Sequence, residues 1–307
     1  MTRTRVLLLA LVAAAALAGQ ARAETAVVDV AVATLWKEPG IARTLDRPSL
    51  GNPVNPWLWS RNLTSANLRR WLVGRVQTQA LYGQEVVVLA RRGGWVKVAV
   101  VDEPDPQDPH GYPGWLPASQ LASRFDARGR YVVVVTRTAL LDVAAGKRVL
   151  RLSYGTRLPL VRWSGDAVIV RTPDGVGTMA GGDVREPLPL SGRSIVAQAR
   201  RFLGVRYLWG GLSSWGFDCS GLVWDVFRVH GMTIPRDADP QFRSGRRVST
   251  SALRPGDLLF YGTQRYVHHV AIYAGSGRML EAPDSAHSVR LVPMRWTELA
   301  GARRYTN

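Results

Sequence analysis

The residue with the clearest chemical potential is Cys219, the only cysteine in the chain, which lies in the segment FDCSG at 217–221. A thiolate is a strong nucleophile, and a cysteine with no partner for an internal disulfide can be kept for that reactivity. The alternative is a buried thiol that serves only as a small apolar side chain. The residues around Cys219 favour the first interpretation.

Cys219 is expected to stand at the start of a helix. The segment GLVWDVFRV at 221–229 reads as helical and is followed by Gly231. The first N–H groups of a helix lack intrahelical acceptors and carry partial positive charge, so they stabilise a thiolate and can hold an oxyanion. A carboxylate beside a thiolate is unfavourable, and we therefore expect Asp218 to face a cation rather than the sulfur.

A thiol nucleophile also needs a proton shuttle, for which histidine is suited near neutral pH. His268 and His269 lie on a predicted strand at 267–274, where neighbouring side chains face opposite ways, so one of them can serve the thiol. A hairpin centred on Gly275 would place His269 opposite Glu281, which could then orient the imidazole. The alternative for Glu281 is a solvated carboxylate at a sheet edge. The other histidines are expected at the surface: His110, His230 and His287.

The chain ahead of this segment is rich in short strands punctuated by glycine and proline. Strand candidates lie at 27–32, 85–90, 95–100, 131–136, 156–163, 167–171 and 175–179. The acidic, proline-rich segment at 102–109 is expected to be a loop, and residues 65–73 are either a helix or a loop. The pattern is typical of two small barrels, followed by a linker at about 186–192.

The first 23 residues have the features of a secretory signal peptide, with a basic start, an apolar run at 6–18 and the sequence ARA at 21–23. The mature chain would then begin at Glu24, and we expect it to be periplasmic or extracellular. The alternative is that the apolar run is retained as a membrane anchor. No later segment is long and apolar enough for a stable membrane span.

The chain is strongly basic, with a formal net charge of +17. Such a charge favours anionic partners, for which cell-wall polymers are candidates. The arginines are scattered rather than interleaved with aromatic residues in one basic run, so nucleic acid is not an expected partner. No group of cysteine and histidine residues has the spacing of a zinc site, and we expect neither a metal nor another cofactor.

Three segments make residues 193–307 resemble an NlpC-type cell-wall cysteine peptidase, which has a papain-like fold. They are DCSG at 218–221, RPGDLLF at 254–260 and HVAIY at 269–273. The two barrels ahead of them resemble paired bacterial SH3 domains. The resemblance implies an α+β fold with a signal peptide at 1–23, a first SH3-like domain at 24–124, a second with its linker at 125–190 and the peptidase domain at 191–307.

The resemblance also implies roles for single residues. The nucleophile, the base and the orienting residue would be Cys219, His269 and Glu281. The third position is usually His, Asn or Gln in this family, and a carboxylate there would raise the basicity of the histidine. Substrate-binding residues would be Tyr207, Asp218, Ser220 and Arg236, joined by Tyr112 of the first barrel, with Gln84 at the place of an amine-binding glutamate. The plain alternatives are core packing for Tyr207, a surface base for Arg236 and a helix start for Ser220.

The expected function is therefore that of an exported cysteine endopeptidase. Its substrates would be peptidoglycan stem peptides or muropeptides, cut between γ-D-glutamate and the diamino acid. We expect a preference for peptides with a free N-terminal L-Ala, whose amine Asp218 and Ser220 would help bind. Two other functions stay open: a thiol acyltransferase or amidase that acts on another acyl substrate, and a non-catalytic wall-binding protein anchored by its barrels.

Overall fold

The computed structural model describes residues 24–143 and 146–306, so the predicted signal peptide lies outside the described residues. Within that part of the chain, no helix is long and apolar enough to cross a membrane. Two all-β units are followed by a mixed unit of helices and strands, and the predicted α+β arrangement is confirmed.

The first unit is a seven-stranded antiparallel sheet in the order β3-β2-β6-β5-β4-β1-β7. Its strands are β1 (Thr25–Val28), β2 (Val32–Trp36), β3 (Val76–Leu81), β4 (Glu85–Arg92), β5 (Trp95–Val100), β6 (Tyr112–Pro117) and β7 (Leu121–Ala122). The acidic segment at 102–109 contains no strand, as predicted, and connects β5 to β6. This loop reaches the C-terminal unit and forms part of the site described below.

Two short helices, α1 (Pro56–Asn62) and α2 (Ala66–Arg70), are inserted between β2 and β3. Helix α1 begins where the Asn55 side chain accepts from Leu58 N at 2.9 Å and proline takes the first helical position. The segment at 65–73, expected to be a helix or a loop, contains a helix over Ala66–Arg70 only, and the preceding helix was not predicted. Trp59 of this insertion packs against Trp36, with ring centroids 6.2 Å apart, and helps to form a core that also contains Leu208 of the C-terminal unit.

The second unit is also a seven-stranded antiparallel sheet, in the order β10-β9-β13-β12-β11-β8-β14. Its strands are β8 (Tyr131–Val134), β9 (Thr138–Val143), β10 (Arg148–Ser153), β11 (Arg157–Ser164), β12 (Ala167–Thr172), β13 (Gly175–Ala180) and β14 (Val184–Arg185). The domain boundaries at residues 124 and 190 stay predictions.

The C-terminal unit packs three helices against a six-stranded antiparallel sheet. It contains α3 (Gly192–Arg200), a small ribbon of β15 (Leu212–Ser213) and β16 (Gly216–Phe217), α4 (Cys219–Arg228) and α5 (Ala238–Ser244). The sheet is formed by β17 (Arg246–Val248), β18 (Leu258–Gly262), β19 (Val267–Gly275), β20 (Arg278–Glu281), β21 (Arg290–Pro293) and β22 (Leu299–Arg304), in the order β17-β22-β18-β19-β20-β21. Central strands β18 and β19 are largely apolar and buried, so the sheet is a rigid support for side chains at its edges.

The three units share buried contacts rather than a simple linker. One hydrophobic core joins the interior of the C-terminal unit to Val32 and Leu81 of the first unit and to Val133 and Tyr154 of the second. An ion pair 2.8 Å long connects Asp102 of the acidic loop to Arg228 at the end of α4. The first unit is therefore held against both the core and the functional face of the C-terminal unit.

Candidate active site

Cys219 is the first residue of helix α4, as the sequence predicted. Asp218 caps the helix, since its Oδ1 accepts from Gly221 N at 2.6 Å. Position 221 must be glycine, because a Cβ there would lie 2.1 Å from the carbonyl oxygen of Gly211. The cysteine side chain is partly exposed, whereas the residues that follow it in the helix are buried. The thiol thus combines access to ligands with the positive end of a helix.

His269, rather than His268, faces Cys219. It lies on β19 with 7% exposure, and its Nε2 donates to Glu281 Oε2 at 2.8 Å, which leaves Nδ1 for the thiol. Burial alone would lower the pKa of His269, but hydrogen bonds to Cys219 and Glu281, together with their negative charges, raise it to about 9. The imidazole is therefore a strong base with a fixed tautomer. His268 is exposed on the other face of the strand.

The register of the β19–β20 hairpin differs from the predicted one. Ile272 pairs with Leu280 and Tyr273 with Met279, and an irregularity separates Tyr273 from Gly275. These pairs shift the register by two residues from a hairpin centred on Gly275. Glu281 is thus a diagonal neighbour of His269 rather than its direct counterpart. A shift of two residues keeps both side chains on the same face, so the predicted contact survives the error.

Glu281 is fully buried and is not the edge carboxylate of the alternative interpretation. Besides His269, it accepts from Arg290 Nε at 2.9 Å and Nη2 at 2.8 Å, and from Arg295 Nη1 at 3.0 and 3.1 Å. Burial would raise the pKa of Glu281, but the hydrogen bond from His269 and the two guanidinium groups lower it to about 2. The carboxylate is therefore ionised throughout the working range. Sequence reasoning missed both arginines, which become neighbours of Glu281 only when β21 pairs with β20.

A cavity of about 460 Å³ opens in front of Cys219. Four predicted substrate-binding residues line it: Tyr112, Tyr207, Asp218 and Ser220. The Tyr112 hydroxyl donates to Asp237 Oδ2 at 2.9 Å and so links the first barrel to the C-terminal unit. Burial, followed by the charges of Cys219 and Asp218, raises the pKa of Tyr207 well above its usual value, so its hydroxyl stays protonated. Tyr207 therefore presents a hydroxyl group next to the nucleophile as well as packing in the core.

Arg236 does not line this cavity, and its placement corrects both interpretations offered from the sequence. Its side chain is completely buried and forms ion pairs with Asp218, at 3.0 Å to Oδ1 and 2.8 Å to Oδ2. It also donates to Ser220 Oγ at 3.0 Å and to Thr78 Oγ1 of the first barrel at 2.9 Å. The expected cation beside Asp218 is thus an arginine of the protein, which supports the nucleophile's helix from behind.

Gln84 and His230 also differ from their expected positions. Gln84 is turned away from the cavity, since its Oε1 accepts from the backbone N of Leu81 in a tight turn. Gln77, on strand β3, lines the cavity instead. His230 is buried rather than exposed, because its ring bridges the carbonyl of Val226 and the hydroxyl of Ser194 at 2.7 Å each. The sequence of the first barrel does not reveal whether Gln77 or Gln84 faces the C-terminal unit.

A larger cavity, of about 610 Å³, lies among the three units but contains none of the predicted site residues. The described residues include no group of three or more histidine, cysteine or acidic side chains that could hold a metal ion. At Cys219, which lines the smaller cavity, a thiol, an imidazole and a carboxylate stand in line. This arrangement can form a thiolate–imidazolium pair, attack a carbonyl carbon and protonate a leaving group.

Comparison with known proteins places this geometry in a family. Residues 204–301 match the NlpC/P60 family, residues 74–121 match a bacterial dipeptidyl-peptidase SH3 domain and residues 133–185 match a second SH3 domain type, the YKFC SH3b2 domain. A γ-D-glutamyl-L-lysine dipeptidyl-peptidase of Bacillus cereus is 37% identical over 91% of this chain and 90% of its own length. Its counterpart from Bacillus subtilis is 34% identical over 89% of this chain and 96% of its own.

A crystal structure agrees with these sequence comparisons over almost the whole chain. An NlpC/P60 family protein from Bacillus cereus superposes with a TM-score of 0.88 at 36% identity, and the match covers 92% of this chain and all of that one. The likeness includes both barrels as well as the C-terminal unit. The chain therefore belongs to the NlpC/P60 family of cysteine peptidases, with two bacterial SH3 domains ahead of the peptidase domain.

Proposed function

We propose that this protein is an exported endopeptidase that hydrolyses the bond between γ-D-glutamate and the diamino acid of peptidoglycan stem peptides. The observation that carries the proposal is the line of contacts from Cys219, which lines the cavity, through His269 to Glu281. The bond specificity is supported by the names of the two relatives that match most of the chain. Export is supported by the signal-peptide pattern at 1–23.

In the first step, the sulfur of Cys219 attacks the γ-carbonyl carbon of D-glutamate while His269 holds the thiol proton as imidazolium. The carbonyl oxygen becomes an oxyanion beside the first N–H groups of α4, including that of Cys219. The C–N bond then breaks, and His269 transfers its proton to the leaving amine. Glu281 keeps the imidazole oriented and stabilises its positive charge through these steps.

The second step releases the acyl group as the free acid. A water molecule gives a proton to neutral His269 and attacks the thioester carbon, and a second tetrahedral oxyanion forms in the same place. The C–S bond breaks, and the proton on His269 returns to the sulfur. The acyl product leaves with a new carboxylate, so hydrolysis needs no group beyond the side chains described and one water.

A preference for peptides with a free amino terminus is supported by the walls of the cavity. Its described lining residues include four aspartates and no lysine or arginine: Asp105, Asp218, Asp237 and Asp239. This negative lining is a local feature of a chain whose net charge is +17. A free ammonium group is attracted to such a cavity, whereas an N-acylated terminus gains nothing from it. Arg236 binds Asp218 at 2.8 and 3.0 Å, and Arg243 binds Asp239. Asp237 lies 3.9 Å from Arg236, so Asp237 with Tyr112 beside it is the better-placed group for the ammonium.

The first barrel limits the length of the substrate. Gly74, Val76 and Gln77 of that unit line the cavity, and so does Tyr112. A glycan-linked stem peptide carries a bulky group where the free peptide has only an amine. We therefore propose that soluble stem peptides are better substrates than the polymeric wall.

The test is mass spectrometry of the products from L-Ala-γ-D-Glu-L-Lys and from the same peptide bearing an N-terminal N-acetylmuramyl group. We expect release of the L-Ala-γ-D-Glu dipeptide from the first peptide and slow turnover of the second. Equal rates on both would overturn the free-amine preference. Transfer of the acyl group to an added amine in preference to water would indicate an acyltransferase. Absence of turnover in both the native protein and Cys219→Ala would indicate a binding protein.

A further inference from the structure

The acceptor sites of the Glu281 carboxylate are saturated by cations. Oε1 receives two hydrogen bonds from Arg290 and one from Arg295, while Oε2 receives one from Arg295 and one from His269. A carboxylate has about four lone-pair positions, so little freedom remains for this group to rotate. The two guanidinium groups thus determine which oxygen is presented to the imidazole.

The arginines come from a part of the sheet that does not touch Cys219. Arg290 is the cross-strand partner of Glu281 on β21, and Arg295 lies two residues beyond the end of that strand. The Arg290 and Arg295 side chains keep 36% and 40% exposure, so they bring charge to Glu281 from the solvent side without being buried themselves. A fully buried carboxylate with a single imidazole partner would otherwise keep one oxygen without a donor, which is costly.

Arg295 contacts a second neighbour of the imidazole. Its guanidinium lies over the ring of Tyr261, 4.5 Å from the centroid, and that ring lies 5.8 Å from the ring of His269. Arg295 therefore packs against the aromatic residue on one side of the histidine and binds its carboxylate partner on the other. Such a contact restricts the imidazole through both of its neighbours.

We propose that Arg290 and Arg295 are positioning residues of the catalytic centre, which hold the Glu281 carboxylate in the orientation that binds His269 Nε2. They touch neither the substrate nor the reacting atoms. They act through Glu281, and the inference rests on the proposed roles of Cys219 and His269.

Two physical effects of the arginines act in opposite directions on His269. As positioning groups they strengthen its contact with Glu281 and so favour imidazolium. As nearby positive charges they disfavour it, but their solvent exposure screens this effect. The charged and titratable groups around the pair are Cys219 on α4, Tyr261 on β18, Arg290 on β21 and Arg295 beyond it. Tyr207 also faces Cys219, and the charge of Asp284 interacts with that of Arg290. If the arginines act by positioning, their removal should lower the pKa of His269. If they act only as nearby positive charges, their removal should raise it.

The experiment measures the rate at which iodoacetate alkylates the full-length mature protein as a function of pH. Cys219 is the only cysteine, so the rate reports on this site alone and requires no peptide substrate. Iodoacetate is an anion and reacts fastest while the imidazolium is present, so its rate falls where His269 loses its proton. We call this fall in the rate at high pH the alkaline limb of the profile, and in the native protein we expect it near pH 9.

The variants are Arg290→Gln, Arg295→Gln and the double variant, each confirmed to be folded by its thermal transition. We expect the midpoint of the alkaline limb to move to a pH about one unit lower in the double variant. At a given pH this corresponds to a tenfold decrease in the ratio of imidazolium to imidazole. Glu281→Gln should shift the midpoint in the same direction. Arg290→Lys keeps the charge but not the two-point geometry, so its limb should fall between those of Arg290→Gln and the native protein.

Arg278→Gln is the matched control. Arg278 lies on β20 and donates to the carbonyl of Leu291. Its substitution removes one arginine from the same sheet without changing a contact of Glu281. Its profile should match that of the native protein. A double variant whose limb stays at the native position or rises would overturn the positioning role. Failure of the peptide-cleavage test with these shifts present would contradict the proposed function alone.

Discussion

Arg236 and Asp218 form a two-point ion pair directly behind the nucleophile, with Nη1 3.0 Å from Oδ1 and Nη2 2.8 Å from Oδ2. Asp218 is also the cap of helix α4, so the first turn that carries Cys219 is attached to a buried cation. Arg236 extends this connection to the first barrel through Thr78 and, at 3.8 Å, through Glu103. Cys219 is thus positioned jointly by two domains.

Replacement of Arg236 by methionine should strongly destabilise the protein. The substitution leaves Asp218 buried without its counter-charge, and removal of one partner of a buried pair typically costs about 3–5 kcal/mol. Urea unfolding at pH 7 measures this loss. Arg130→Gln is the control, because Arg130 pairs with Glu186 at the surface and should cost less than about 1 kcal/mol. Equal losses for the two variants would show that Arg236 is not the support described here.

Glu103 should make the protein less stable as the pH rises. Its side chain is completely buried, and this burial raises its pKa from 4.5 to about 8 despite the nearby Arg236. A carboxyl group whose folded pKa is raised contributes stability below its unfolded pKa, and that contribution is lost as the pH rises through the folded pKa. Glu103→Gln keeps the shape without the titration. Unfolding at pH 4 and pH 9 should show similar stabilities at the lower pH and a more stable variant at the higher pH, because the contribution is lost between pH 4.5 and pH 8. A variant less stable than the native protein at pH 9 would contradict the assignment.

The sequence predicted the geometry of the candidate site where local rules decide it. The helix pattern after Cys219 predicted that this residue stands at a helix start, and the Asp218 cap was seen only in the structure. The two-residue period of a strand placed His269 and Glu281 on one face even though the register was wrong by two residues. Which face of the sheet a side chain occupies follows from the alternation along the strand itself. The register also depends on the irregularity near Gly275, which no local pattern revealed.

The features that the sequence did not predict depend on contacts between distant segments. Arg236 is buried because the acidic loop and strand β3 of the first barrel close over it, which its own segment could not indicate. Gln77 lines the cavity from strand β3, whereas Gln84 lies in the turn after that strand and binds the backbone N of Leu81. The two arginines at Glu281 likewise require the pairing of β20 with β21.

Tyr112→Phe should weaken substrate binding. The hydroxyl lies in the cavity and donates to Asp237 at 2.9 Å across the domain boundary. The substrate ammonium would lose its proposed contact with this hydroxyl, and a hydrogen bond to a charged group is worth about 1.5–3 kcal/mol, so kcat/KM on a free stem peptide should fall about 10- to 100-fold, mainly through KM. The control is Tyr273→Phe, since that hydroxyl accepts from Gly277 N in the β19–β20 turn. A Tyr112 variant with native KM would exclude the hydroxyl from the substrate site.

His269 should contribute stability that depends on pH in a defined window. Its pKa is raised from 6.5 to about 9, so the contribution of its proton is complete below pH 6.5 and is lost as the pH rises through 9. The negative charge of Glu281, whose pKa is lowered from 4.5 to about 2, is fully present above pH 4.5. The difference in unfolding free energy between the native protein and His269→Gln should therefore be largest between pH 4.5 and 6.5, on the order of 3 kcal/mol, and should shrink towards pH 9.5. Urea unfolding at pH 5.5, 7.5 and 9.5 measures it. A difference that stays constant, or grows with pH, would mean that the imidazolium is not the form that the Glu281 carboxylate holds.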